Sequence, residues 1–239
     1  MNTTDQTYAE RRAAFLAEHV GKIPPDVRAA LAAEQASLDA AGVPSTVLRP
    51  GSAMPDGDLL DVQNAPTTLE QTRAGQPAVI IFYRGDWCPY CNLVLRTYQQ
   101  QLMPHLAALD IPLIAISPQR PDRSVSMRQI NNLTFAVLSN PGNQIARQLG
   151  IITAPDPDAR AAQLAMGIDV AAGNADGTAS MPMPTVVLTD ADGVIAWIDV
   201  HPNYSSRTEP ANILTAITTV LDRPVPAAGI FEVSSRHMR

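Results

Sequence analysis

The sequence is poor in cysteine. Two cysteines among 239 residues exclude a disulfide-rich secreted scaffold and a four-cysteine zinc site. Long apolar runs are also missing. The longest, Ala78 to Tyr83, is strand-sized and far short of the roughly 20 residues a bilayer needs. Met1 to Arg12 is polar and lacks the apolar stretch of a secretory leader. Charge is sparse at 17% of residues, with 17 basic against 23 acidic side chains and a net charge of −6. That mild acidity argues against a nucleic-acid groove or an anionic membrane as partner. The expected compartment is the cytoplasm, where thiols are kept reduced. There a closely spaced cysteine pair is redox-active or metal-binding rather than structural.

What is present supports a folded chain. Apolar residues make up 46%, enough for a buried core. Proline, at 21 residues, runs at nearly twice the roughly 5% average, so many ordered loops are expected. Residues 5–41 read as helix, broken at Pro24-Pro25, with a second helix from Pro25 to Ala41 and Gly42 as its C-terminal cap. This segment, residues 1–45, is expected to be a helical extension packed on the core domain, or a dimer element. Residues 49–66 read as loop. From Ala78 onward strands and helices alternate. The strands are Ala78–Tyr83, Ile111–Ile116 and Phe135–Leu138. The helices are one from Pro89 to Leu109, one over 121–131, and one opened by Asn140-Pro141-Gly142 and ending near Leu149. That alternation predicts an α/β domain with helices covering a parallel sheet. Residues 154–180 read as an inserted loop with one short helix at Arg160–Met166. Thr185–Thr189 and Val194–Val200 read as a hairpin. A last helix runs from a Thr208 N-cap to Leu221, and 223–239 is an unassigned tail.

Chemistry concentrates in Phe82-Tyr83-Arg84-Gly85-Asp86-Trp87-Cys88-Pro89-Tyr90-Cys91, between a buried strand and a helix. Cys88 falls at the helix N-cap and Cys91 three residues on. That spacing puts both sulfurs on one face of the first turn, close enough to close a disulfide. It sets Cys88 at the positive end of the helix dipole, which favours thiolate. Pro89 suits the first helical position because no N–H is needed there. A zinc half-site would need two more ligands, and His19, His105, His201 and His237 show no ligand spacing near the pair. No metal or tightly bound cofactor is implied.

These residues resemble the thioredoxin-fold superfamily, and within it the peroxiredoxin-like AhpC/TSA (alkyl hydroperoxide reductase and thiol-specific antioxidant) branch. The likeness spans roughly 48–222 and rests on three stretches: Phe82 to Cys91, Ser139-Asn140-Pro141-Gly142 to Leu149-Gly150-Ile151, and Met183-Pro184-Thr185 to Gly193. It implies a thioredoxin-like domain over 48–222, a central mixed sheet covered by helices, with the N-terminal extension ahead of it. It also implies a thiol-dependent antioxidant oxidoreductase reducing peroxides or disulfides through a dithiol cycle. The electron donor would be of thioredoxin or glutathione type, and a homodimer is compatible. A protein thiol–disulfide oxidoreductase without peroxidase activity and a non-catalytic binding module are the alternatives.

The resemblance gives the cysteines two registers. Read as W-C-x-x-C, Cys88 is the nucleophile and Cys91 resolves. Read as P-x-x-x-T-x-x-C, Cys91 is the nucleophile, with Arg84 in the proline position and Cys88 in the threonine position. The arginine that peroxiredoxins carry on a later strand aligns with Pro184, so that triad is incomplete. Arg84 is the candidate for the missing positive charge, or else a surface residue paired with Asp86. Phe82 stands where thioredoxins keep a buried acid. Pro184 is the expected cis-proline facing the disulfide. Trp87 packs beside the motif. His201 and Arg207 could line the cleft, but a solvated loop is their expected place.

Overall fold

The computed structural model describes residues 6–224. Residues 1–5 and most of the expected 223–239 tail lie outside the described part. Helix α1 (Tyr8–His19) starts at a capping box in which Thr7 and Glu10 bond each other's backbone N–H, satisfying two otherwise orphaned donors. A 3-10 turn follows, and α2 (Pro25–Ala41) begins at the second of the paired prolines. Gly42, at φ +68°, ends it in the left-handed region that glycine enters at little cost.

The stretch expected to be loop carries two strands, β1 (Leu59–Leu60) and β2 (Pro66–Thr67), paired antiparallel. Two-residue strands hold too little alternation to be read. Helix α3 (Leu69–Arg73), capped by Thr68, leads to β3 (Ala78–Phe82). The expected single helix after Pro89 is two, α4 (Pro89–Gln101) and α5 (Met103–Ala108). Pro104 is the cause, because its ring would clash with a carbonyl one turn back and it donates no N–H. Next come β4 (Leu113–Ser117), α6 (Pro121–Ile130), β5 (Ala136–Ser139) and α7 (Gln144–Leu149). The 154–180 insertion is more ordered than expected. After β6 (Ile152–Thr153) it holds α8 (Pro157–Ala165) and α9 (Val170–Gly173), each with an aspartate N-cap, Asp156 and Asp169. Then β7 (Met181–Pro182) pairs with β6, and the hairpin β8 (Thr185–Thr189) and β9 (Ile195–Val200) precedes α10 (Pro210–Val220).

The main sheet has the order β2-β1-β5-β4-β3-β8-β9. Strands β3, β4 and β5 are parallel, and β8 and β9 are antiparallel additions beside β3. The sheet is therefore mixed. The continuous apolar run of β3 follows from burial on both faces. Val79 and Ile81 point to the layer of α1, α4 and α10, with Tyr98 and Ile213. Ile80 and Phe82 point to the layer of α3 and α7, with Leu69 and Ile145. This leaves the β3–α4 turn at the sheet's carboxyl edge, where open α/β sheets place their sites.

Both extension helices lie against this domain. The Glu209 carboxylate accepts the Tyr8 and Ala9 N–H groups at 2.9 Å each, an acid at a helix N-terminus. Tyr8, buried to 2% exposure, donates its hydroxyl to the Ser205 carbonyl at 2.6 Å. Helix α2 packs on α8 and receives the Tyr204 hydroxyl at the Leu31 carbonyl, 3.2 Å away.

Candidate active site: the paired thiols of the β3–α4 turn

Cys88 is the N-cap of α4 and Pro89 its first residue, as the spacing predicts. The turn before them is held from several sides. Asp86 and Gln119 bond reciprocally: the Asp86 N–H donates to Gln119 Oε1, and Gln119 Nε2 to Asp86 Oδ1, both at 2.7 Å. Asn92 Nδ2 donates to the carbonyls of Asp86 and Cys88 at 2.7 and 3.0 Å. Gly85 is required by close approach, because a Cβ there would collide with the indole nitrogen of Trp87.

Both cysteines are free thiols, Cys88 at 1% exposure and Cys91 at 0%. One guanidinium nitrogen, Arg207 Nη2, donates to Cys91 Sγ at 3.1 Å and lies 4.0 Å from Cys88 Sγ. The other, Nη1, donates to the carbonyls of Tyr204 and Ser206 at 2.6 Å each, which fixes the fork. Arg207 was expected in a solvated loop and is instead half-buried against the sulfur. Nothing in its spacing marks it, since 116 residues separate it from Cys91 and only tertiary packing joins them. His201, the other loop candidate, does not reach the thiols. Its Nε2 meets Asp199 Oδ2 at 3.1 Å and Thr208 Oγ1 at 3.2 Å, closing the base of the loop that carries Arg207.

The electrostatics separate the two sulfurs. Burial works against a thiolate at Cys91. The Cys88 thiol bonded to it, the charge of Arg207 and the Arg84 backbone N–H outweigh burial and hold Cys91 well below the ordinary thiol range. Cys88 is pushed up by burial and by the negative charge of its neighbour. These directions run against the helix-dipole expectation of a Cys88 thiolate. The hydrogen bond from Cys88 and the guanidinium, nearer Cys91 than Cys88, both favour the negative charge on Cys91.

Arg84 also departs from expectation. It is 6% exposed and does not pair with Asp86; that carboxylate faces Arg123 at 3.7 Å. The Arg84 guanidinium lies between two rings, 4.5 Å from the Tyr204 centroid and 5.0 Å from that of Trp87, and its Nε donates to Met181 Sδ at 2.9 Å. Pro184 is not the expected cis-proline: no peptide bond among the described residues is cis. The Met183 N–H bonds to the Ile151 carbonyl and the His201 N–H to the Pro184 carbonyl, so the chain runs extended through Pro184 from one ladder to the next. Pro184 lines a narrow cleft with Arg84, Met181 and Tyr204. Among the described residues no cluster of histidine, cysteine and acidic side chains could hold a metal.

The AhpC/TSA family profile matches residues 50–198, more than half of the chain. Two provisionally named peroxiredoxins from Mycobacterium tuberculosis strains are 26% identical over 106 residues, which is 44% of this chain and 66% of theirs. The chain thus matches just under two thirds of those relatives' length. Among solved structures, a peroxidoxin of Mycobacterium tuberculosis superposes with a TM-score of 0.54 at 17% identity, covering 73% of this chain and 97% of the other. A thiol peroxidase from Chromobacterium violaceum gives 0.54 at 17%, covering 72% and 87%. The fold they share with it is thioredoxin-like. With the paired thiols inside a profile match that takes in β3, α4, β8 and most of β9, the chain belongs to the AhpC/TSA family.

Proposed function

We propose that this protein is a thiol-dependent oxidoreductase that reduces peroxides, with Cys91 as the sulfur that reacts first. The observation that carries this is the Arg207 Nη2–Cys91 Sγ contact at 3.1 Å. It supplies the positive charge that the alignment at Pro184 lacks. The Cys91 thiolate attacks one peroxide oxygen, the O–O bond breaks, and the leaving alkoxide takes a proton from the site, giving alcohol and a Cys91 sulfenic acid. The Cys88 sulfur then attacks Cys91, water leaves, and a Cys88–Cys91 disulfide forms. Two electrons from a thioredoxin- or glutathione-type donor restore both thiols. In this scheme Arg207 stabilises the thiolate and then the charge that develops on the leaving oxygen.

A second reading has one observation behind it. Cys88, and not Cys91, lines a mostly apolar cavity of about 180 Å³. This favours Cys88 as the entry sulfur for thiol–disulfide exchange. Peroxide consumption coupled to a thioredoxin system, together with insulin-disulfide reduction, separates the two. Loss of peroxide turnover in Cys91→Ser, with a single stoichiometric turnover left in Cys88→Ser, supports the first reading. Insulin reduction lost in Cys88→Ser, without peroxide turnover in the wild type, supports the second. Absence of both activities in the wild type leaves a binding module.

We take 1–45 as an extension, 48–222 as the catalytic domain and 223–239 as a tail. We assign the protein to the cytoplasm. Two free thiols support this, as does the finding that no described helix is long and apolar enough to cross a membrane.

A further inference from the structure

Cys88, whose thiol is hydrogen-bonded to Cys91, lines a cavity of about 180 Å³ that the family-matched domain does not build alone. Its walls include Phe15 and Ile23 from the extension, Met166 and Ile168 from the insertion, and Cys88 and Arg84 from the β3–α4 turn. An apolar cavity of about 150 Å³ takes a benzene ring, so this one holds a body of roughly six to nine carbons.

Among the polar residues of the lining, which include His19 and Gln163, Arg84 and Glu34 each carry atoms without a fitting partner. Among the described residues the Arg84 guanidinium donates only its Nε–H, to a thioether sulfur. Among the described residues no carboxylate lies within ion-pair reach of it. Glu34 is 6% exposed, and its Oε2 is buried with no hydrogen-bond partner among the described residues. A buried charge without a counter-ion is costly. Here two aromatic rings hold the cation in place without neutralising it. Burial pushes the Glu34 carboxyl up, toward its neutral form, in which it donates a hydrogen bond rather than repelling an anion.

We infer that this cavity binds a small apolar carboxylic acid, its body against the extension and insertion and its carboxylate between Arg84 and Glu34. Resting on the peroxidase reading, the substrate class is an organic hydroperoxide that carries one carboxylate, and Arg84 is a specificity-determining residue. The reaction is the one written above, with the alkoxide leaving group attached to the bound acid.

Binding tests this without turnover. 3-Phenylpropanoate, 3-phenylpropan-1-ol and acetate are titrated by calorimetry into the full-length reduced protein, and into Arg84→Met and Phe15→Glu. The acid should bind about tenfold or more tighter than the alcohol, the size of one buried charge-assisted contact. Acetate should bind far more weakly than either. Arg84→Met should bind acid and alcohol alike. Phe15→Glu, on a half-buried wall, should weaken both ligands. Equal affinity of acid and alcohol in the wild type overturns the inference, as does a preference for the acid that survives in Arg84→Met. An inactive protein that still prefers the acid refutes only the peroxidase reading. An active one with no preference refutes only the acid site.

Discussion

Replacing Arg207 with methionine keeps side-chain bulk and removes the charge beside Cys91. At 3.1 Å a pair of unit charges is worth about 5 kcal/mol at an effective dielectric of about 20 and about 1.3 kcal/mol in water. Arg207 is half-buried, so the contact lies between these limits. Hydrogen bonds to charged groups cluster at about 1.5–3 kcal/mol, and each pKa unit is about 1.4 kcal/mol. Arg207→Met should therefore raise the Cys91 pKa by roughly one to two units. The clean background is Cys88→Ser, where one thiol titrates alone. Thiolate absorbance in the ultraviolet against pH gives the midpoint directly. The rate of sulfenic-acid formation with excess hydrogen peroxide should follow the same curve. Both curves should shift to higher pH in Arg207→Met. Below the wild-type midpoint the rate should fall by about ten- to a hundredfold, tracking the lost thiolate. Arg207→Lys keeps a charge but not the fork that bonds two carbonyls and the sulfur, and should fall between. A midpoint and rate unchanged in Arg207→Met would refute the assignment of the thiolate to this contact.

Three further outcomes follow from the same geometry. The folded-state pKa of Cys91 is depressed below the free-thiol value of about 8.5. Its contribution to stability is therefore present above that value and lost as pH falls toward the folded pKa. Urea midpoints of the reduced wild type should decline across that window relative to Cys91→Ser, and parallel curves would contradict it. Tyr8→Phe leaves the Ser205 carbonyl with only the longer contact from Arg12 Nη1 at 3.4 Å, which should lower stability by about 0.5–1.5 kcal/mol at constant m. Because Ser205 stands two residues before Arg207, it should also nudge the Cys91 midpoint upward; an unmoved midpoint would mean that α1 does not position the arginine. Gly85→Ala drives a Cβ into Trp87, with an expected loss of about 1–3 kcal/mol measured by denaturant unfolding. A variant as stable as wild type would show that the turn has room to shift.

Much of the architecture was legible because local signals were strong. The Pro24-Pro25 break, the Gly42 cap, the doubly buried β3 run and the Cys88 N-cap each follow from backbone or burial rules acting over a few residues. What was not legible has a common physical origin. Strands β1 and β2 are too short to show a period. The break between α4 and α5 needed weight given to Pro104 against a continuous apolar stripe. Helices α8 and α9 lie in an Ala- and Gly-rich stretch whose order comes from aspartate caps and, for α8, from packing on α2. The site divides the same way. Cys88 and Cys91 announce themselves by spacing, but their charges depend on Arg207, brought over 116 residues by the fold.

That long-range link also gives the extension a physical task. Glu209 caps α1, and Tyr8 on α1 bonds Ser205. The segment between those two anchors contains Arg207, whose Nη1 is bonded to the Tyr204 and Ser206 carbonyls of the same loop. Helix α2 holds the loop's other end through Tyr204. The guanidinium that meets Cys91 is thus suspended from a loop tied on both sides to residues outside the AhpC/TSA match, which begins at residue 50. A loop of this length left untied would order only at the expense of chain entropy, about 1–2 kcal/mol per residue fixed. Tying it to α1 and α2 moves that cost into folding, so the cation is already in place when a thiolate is needed. The same helices form one wall of the cavity above Cys88. Removing them should therefore raise the Cys91 pKa and open the cavity together.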